Sequence, residues 1–446
     1  MTLIASMFLI LLLRRMLARY RWDAILHPGT WFSVTWLMAI AAYLMIEAFG
    51  GVPVYNPEVL DDLMVMLVGA AIIFWFCTFL PIRDQRVRQD DLQVSAGLPM
   101  PYTAFSLLGL AGATINWLVL GANFGYNDEI RQQWLNQIPP ITAMMWYLYL
   151  LSFPAAFVAG KTAATRAAIG VPFRTRFVLR LLVPLVSGFV WSLGTGGRQA
   201  LGLMLLHFIV GGAFGVGWTV RCGHQIPHRK AFHIGIGILG FFLAFALFVG
   251  LTGLSRAKQQ GTEASSFDDV WYLAPVGQMI SYVGLTIATH QAYGQPVRRD
   301  LSETGPVSLA GFQYFGLRFL TGWRPVNAED TNPERLLAAS GQELASGTRN
   351  VFYDLQADFG FAGAFFVIAI LIGVSQLLFS RTRYLGRPHI LRAAPLVMGI
   401  MFWGYSHQFS LLMHNTFFWL VISFGLWGGG ESLHTRFREN AVEARF

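Results

Sequence analysis

The chain has 446 residues, of which 54% are hydrophobic and 13% charged, with 37 Phe and 14 Trp. That balance excludes an ordinary soluble domain and predicts an all-α polytopic membrane protein. The net charge of +8 reports orientation rather than a nucleic-acid partner, because basic residues of such proteins collect on cytoplasmic loops.

In chain order, windows of about 20 residues, the length needed to cross the hydrocarbon core, predict about eleven spans. The first, near 2–18, holds "TLIASMFLILLLRRML". With no basic residue ahead of its core and no small-residue cleavage site, it reads as a membrane helix rather than a signal peptide. The next seven fall near 31–49, 62–81, 101–122, 141–160, 177–194, 199–219 and 232–252. A segment at 253–357 follows, richer in Gly, Pro and polar residues. Connections of that length are usually functional or disordered. Two of its pieces, "VWYLAPVGQMISYVGLTIA" and "AGFQYFGLRFLTGWR", predict amphipathic helices that lie against the membrane or re-enter it. Spans near 358–380, 392–409 and 413–430 and a tail at 431–446 come last. The organisation is an eight-helix region at 1–252, the long loop at 253–357, a three-helix region at 358–430 and the tail. Cys77 and Cys222 lie in or beside apolar runs, which speaks against a disulfide or a zinc site.

Orientation follows from the basic residues. With the N-terminus outside, roughly 22 of the 32 Lys and Arg fall on loops of one face, which the positive-inside rule makes cytoplasmic. The short loops of the other face carry Arg131 and Arg198. The long loop is exempt from the rule and lies outside, on the face that holds Arg198.

That placement bears on "WSLGTGGRQALG" at 191–202. An arginine on the positive-poor face, at the first turn of a helix and behind Gly196 and Gly197, joins a fixed cation to free backbone N–H groups and a positive helix end. All three suit a phosphate, and glycine lets its oxygens approach the main chain. The residues alone leave a second reading open, an interfacial arginine whose stem lies along apolar surface. The turn has no Walker lysine spacing and follows no strand.

The "GTGGRQAL" turn after a mid-chain span resembles the S/T-G-G-R turn of the bacterial oligosaccharide repeat-unit polymerases, the Wzy-like O-antigen and polysaccharide polymerases. "ILHPGTWFSVTWLMAIAAYL" at 25–44 is similar to that family's opening of the second span, and "YDLQADFGFAGAFFVIAILIG" at 353–373 to its start of the helix after the large periplasmic loop. The specific motifs cover roughly 40 residues, although the topology is similar over most of the chain. The resemblance implies a GT-C-like inner-membrane enzyme whose active site faces the periplasm. It would move a growing glycan from undecaprenyl diphosphate onto another lipid-linked repeat unit. Membrane lipid, a chain-length regulator and a flippase are the implied partners, with no cofactor and no metal.

The chemistry assigns candidates. The leaving group is a lipid diphosphate, so charge develops on phosphate oxygens and arginines can stabilise it without a divalent ion. Arg198 is the first choice, catalytic and substrate-binding at once, with Gly196 and Gly197 beside it. Arg256 is placed for a second diphosphate contact, and Arg318 and Arg324 lie near an aromatic patch suited to sugar faces. Arg349 stands close to Asp354 and Asp358 in "SGTRNVFYDLQADFG". Each of these arginines also fits a structural or interfacial anchor. The acceptor hydroxyl needs a base, for which Asp354, His290 and Glu263 are candidates. Asp358 is expected to cap the ninth span, His207 to sit in the core, and His407 to line the cavity. Asp61 and Asp62 lack the Asp-x-Asp of metal-dependent GT-C enzymes.

Two rivals stay open. A lipid-linked oligosaccharide flippase or transporter would be expected to carry charges within its spans, which are nearly free of them here. An O-antigen ligase shares topology and carrier chemistry.

Overall fold

A computed structural model describes residues 1–21, 24, 27–48, 56–80, 97–98, 100–120, 140–195, 198–224, 240, 284, 286–288, 290–291 and 350–384. Every extended element among them is a helix. Six stretches are long and apolar enough to cross a membrane: Pro28–Ala48, Pro57–Cys77, Tyr102–Val119, Thr175–Gly194, Leu201–Val220 and Asp358–Ser380. They coincide with six of the predicted spans, and the protein is an α-helical membrane protein. The predicted spans near 392–409 and 413–430 lie outside the described residues, as does that near 232–252 apart from Gly240. Leu3, Phe76, Leu179 and Phe366 are among the apolar side chains left exposed, as lipid-facing positions are.

The chain forms two compact units, one of residues Met1–Arg83, Ile236–Arg381 and Pro395–His414, the other of Asp84–Gly235, Thr382–Ala394 and Asn415–Phe446. The first contains α1 (Thr2–Tyr20), α2 (Pro28–Ala48) and α3 (Pro57–Cys77). Asn56 caps α3 by accepting the Val59 N–H at 3.4 Å, and Pro57 supplies a pre-set φ at the first helical position. Tyr20 at the end of α1, His27 just before α2 and Cys77 at the end of α3 share one end of the unit. Tyr43 of α2 and Asn56 before α3 share the other. Helix α2 therefore runs antiparallel to α3, and the 21 residues of α3 separate the two ends by about 30 Å.

The second unit contains α4 (Met100–Val119), α5 (Pro140–Leu150), α6 (Ser152–Ile169), α7 (Thr175–Thr195) and α8 (Arg198–Arg221). The span expected at 141–160 is thus two consecutive helices, and the second runs on to Ile169. Hydropathy falls at Lys161, but "KTAATRAAI" is alanine-rich and keeps helix propensity, while Lys161, Thr162 and Thr165 are buried. Helix α6 ends where Gly170 takes the left-handed conformation at φ 79° and donates to the Arg166 carbonyl.

Small residues set the α6–α8 crossing. A Cβ at Gly160 would strike the Phe208 carbonyl, one at Gly211 that of Phe157, and one at Gly215 that of Lys161. The backbones touch along a Gly-x-x-x-Gly stripe, the packing that works where lipid supplies no hydrophobic drive. Helix α7 contains Pro184, which cannot donate to the Arg180 carbonyl one turn back. The Tyr102 hydroxyl of α4 donates to that carbonyl instead, at 2.7 Å.

Candidate functional site

Two places in the structure carry the sequence-predicted residues, one in each unit. In the second unit, Arg198 is the first residue of α8, so it stands at the positive end of a 24-residue helix. The surrounding frame is well defined. Gly194 packs where a Cβ would lie 3.1 Å from Trp117 Cα of α4. The Ser192 hydroxyl of α7 accepts the Leu201 N–H in the first turn of α8 at 3.2 Å, tying the two helices across the turn. Trp191 of α7 stacks on Tyr149 with ring centroids 4.6 Å apart and meets Trp146 at 5.0 Å. One residue before Trp117, the Asn116 carboxamide is fully buried, and neither its nitrogen nor its oxygen finds a hydrogen-bond partner among the described residues.

In the first unit, α9 (Val351–Tyr384) begins seven residues ahead of its predicted start. The reason is Asn350, whose Oδ1 accepts the Tyr353 N–H at 2.9 Å and caps the helix. The expected cap, Asp358, falls inside α9, buried, two residues before a break at Gly360 with φ 69° and ψ 176°. Asp354 lies within the same first segment of α9.

His290 joins this cap. Gly284, Thr286, Ile287, Ala288, His290 and Gln291 are helical, and this piece of the long loop packs on α2. A Cβ at Gly284 would come within 2.8 Å of the Ala42 and Tyr43 backbone. Gln291 accepts the Asn56 N–H at 3.1 Å and donates to the Tyr43 hydroxyl at 2.9 Å. His290 is fully buried, its Nδ1 lies 2.7 Å from Asn350 Nδ2, and its ring meets that of Tyr353 edge-on at 5.5 Å. Burial lowers its pKa to about 4, so the ring is neutral at physiological pH.

No protein-family model, curated protein or solved structure matches the chain. Its functional reading therefore rests on its own residues.

Of the predicted site residues, Arg198, Asp354 and His290 lie on described helical positions. Gly196, Gly197, Arg256, Glu263, Arg318, Arg324, Arg349 and His407 lie outside the described residues. His207 is a core residue, as expected, with Nδ1 2.6 Å from the Leu203 carbonyl and its ring against Phe153. Sequence reasoning missed Asn350, Gln291 and Asn116. Asn350 had a usable signal, an Asn immediately before the apolar "VFY" that opens a helix. Gln291 and Asn116 had none, since an isolated amide in an apolar run looks the same paired or unpaired.

Proposed function

We propose that the protein polymerises undecaprenyl-diphosphate-linked oligosaccharide repeat units, transferring the growing glycan onto a new lipid-linked unit with lipid diphosphate as the leaving group. The observation that carries the reading is the position of Arg198 at the start of α8, directly behind the glycine pair of "GTGGRQAL". A guanidinium there would add its fork of donors to the first-turn N–H groups other than that of Leu201, which Ser192 takes. The pair stabilises charge that develops on the departing diphosphate, an effect worth roughly a hundred- to a thousandfold in rate per preorganised donor.

The charge pattern of the first unit supports an extracytoplasmic reaction at the inner membrane. Arg14, Arg15 and Arg19 lie towards the Cys77 end, Arg15 donating to the Thr78 hydroxyl at 3.2 Å. Glu58, Asp61 and Asp62 open α3 at the other end. The positive-inside rule makes the Cys77 end cytoplasmic. Reporters fused after Asn350 and after Arg387 test this directly, the first expected periplasmic and the second cytoplasmic. The reverse pair would remove Arg198 from the reacting face.

Glycan electrophoresis of a deletion strain separates the enzyme classes. A polymerase leaves a single repeat on the lipid core, whereas a ligase or an earlier step leaves none. Within that assay, Arg198→Ala abolishes long chains at unchanged protein level, and Arg198→Lys rescues in part because it keeps the charge but loses the planar fork. A normal ladder from Arg198→Ala removes the arginine from the chemistry. Polymerisation by purified protein is expected to survive excess chelator; loss that magnesium restores would point instead to a metal-assisted reaction.

A further inference from the structure

His290 was a candidate base, and its surroundings argue for another role. The amide of Asn350 has one possible orientation, because its Oδ1 takes the Tyr353 backbone N–H and a backbone N–H can only donate. Its Nδ2 therefore donates to His290 Nδ1, which must be the bare nitrogen. The single proton of the neutral ring then sits on Nε2. That atom is buried and has no hydrogen-bond partner among the described residues. One turn earlier on the same helical piece, and so on the same face, the buried Thr286 hydroxyl is also without a partner. On α2, the Trp36 indole N–H is a third such group, its ring 5.4 Å from Phe352.

Burying one polar group unpaired costs about 1–3 kcal/mol; among the described residues the first unit has a fourth such group, the Thr30 hydroxyl beside His27, but Thr286 and His290 share one helix face. Each offers an uncharged donor; the Trp36 ring meets Phe352 and the His290 ring meets Tyr353, neighbouring residues at the start of α9. Neutral donors beside aromatic faces suit hydroxyl and ring oxygens of an uncharged sugar far better than a phosphate, which calls for cations.

We propose that His290 is a substrate-binding hydrogen-bond donor, not a general base: Asn350 fixes its proton on Nε2, and with Thr286 it receives an uncharged sugar in the first unit. Asn350 is the positioning residue. That the sugar belongs to the glycan substrate rests on the polymerase reading; the protonation state does not.

The test uses the full-length protein with nitrogen-15 labelled histidine in liposomes, the His290 signals being identified by their loss in His290→Gln. The expected spectrum at neutral pH has Nε2 protonated and Nδ1 bare. An Nδ1–H ring or an imidazolium overturns the proposal. Asn350→Asp keeps the helix cap but offers only acceptors, so the His290 proton moves to Nδ1; an unchanged spectrum removes Asn350 from the role. Dodecyl maltoside, a neutral sugar on an alkyl chain, is expected to shift the His290 Nε2 proton downfield, and dodecyl phosphate to leave it in place. No shift with maltoside, or a shift with phosphate alone, sinks the sugar assignment in favour of trapped water or an anion. In cells, His290→Gln, which retains an N–H near that point, keeps part of the ladder that His290→Ala loses. Equal loss in both argues for a base. If deleting the whole gene leaves the ladder normal, the polymerase reading fails while the spectroscopic results stand.

Discussion

Among the described residues, the first unit buries two histidines, one towards each end, and they differ in a single hydrogen bond. His27 accepts the Gly29 N–H on Nδ1 at 3.0 Å, and its Nε2 meets Gln376 Oε1 at 2.6 Å. Gln376 in turn donates to the Tyr20 hydroxyl and the Cys77 carbonyl, while Tyr20 stacks on the imidazole and Phe379 meets it edge-on. His290 has the same tautomer and the same burial, yet its Nε2–H is left over. A closed network joins α1, α2, α3 and α9 and can do little else. An open one gives up stability and leaves a group that can meet a ligand.

The largest expected effect follows from closing versus opening. His27→Leu strands the Gly29 N–H and the Gln376 oxygen and disturbs three aromatic contacts, a cost of roughly 3–5 kcal/mol. His290→Leu strands only the Asn350 amide and removes an already unpaired donor, for roughly 1–2 kcal/mol. Thermal unfolding of purified protein in detergent should therefore place His27→Leu well below His290→Leu. Equal melting temperatures would mean that the two clusters are not energetically different.

Acid acts on both. Burial lowers His27 to about 3 and His290 to about 4, below the unfolded value near 6.5. A group with a depressed folded pKa contributes fully above its unfolded pKa, and the contribution is lost as pH falls towards the folded one. Stability is thus expected to decline below about pH 6.5, with His290 contributing down to about 4 and His27 down to about 3. Each histidine adds up to about 1.4 kcal/mol per pH unit within its window. A melting-temperature series should be flatter for the His27→Gln, His290→Gln double variant than for the parent; an identical acid slope contradicts the assignment of neutral buried rings.

How much of this was legible in sequence depends on range. Six spans could be read because apolar runs of the right length announce themselves locally. The Asn350 cap was legible too, but Asp358 competed for it in the same segment, and only the early start of α9 decides between them. The His290–Asn350 pair was not, since 60 residues of chain separate the partners. Nor was the His27–Gln376 pair, separated by 349. Proximity of that kind belongs to the packing of the helices and leaves no mark on either local stretch.

Between the two clusters α9 is broken, with the Asn350 cap at the start of its first segment and Gln376 on the second. Gly360 makes the break at φ 69° and ψ 176°, where no atom of the described residues lies within 4 Å of an added Cβ. Gly360→Ala therefore tests backbone conformation without a clash, in a region that is essentially glycine's alone, at about 1–3 kcal/mol. If the break aims the cap at His290, this variant also shifts the His290 ring signals while leaving those of His27 in place. Movement of both sets would show that the segments turn as one body.

The smallest effect comes from Gly373, on the second segment, also with open space around its Cβ position but at an ordinary helical geometry. Alanine there removes unfolded-chain freedom and raises helix propensity, so Gly373→Ala should stabilise by up to about 1 kcal/mol. An added Cβ meets no described atom within 4 Å at either glycine, and both lie on the same helix, so opposite signs would isolate the conformational role of Gly360. A loss at Gly373 equal to that at Gly360 would assign the cost to the added methyl group, and the break would no longer explain how the cap is presented to His290.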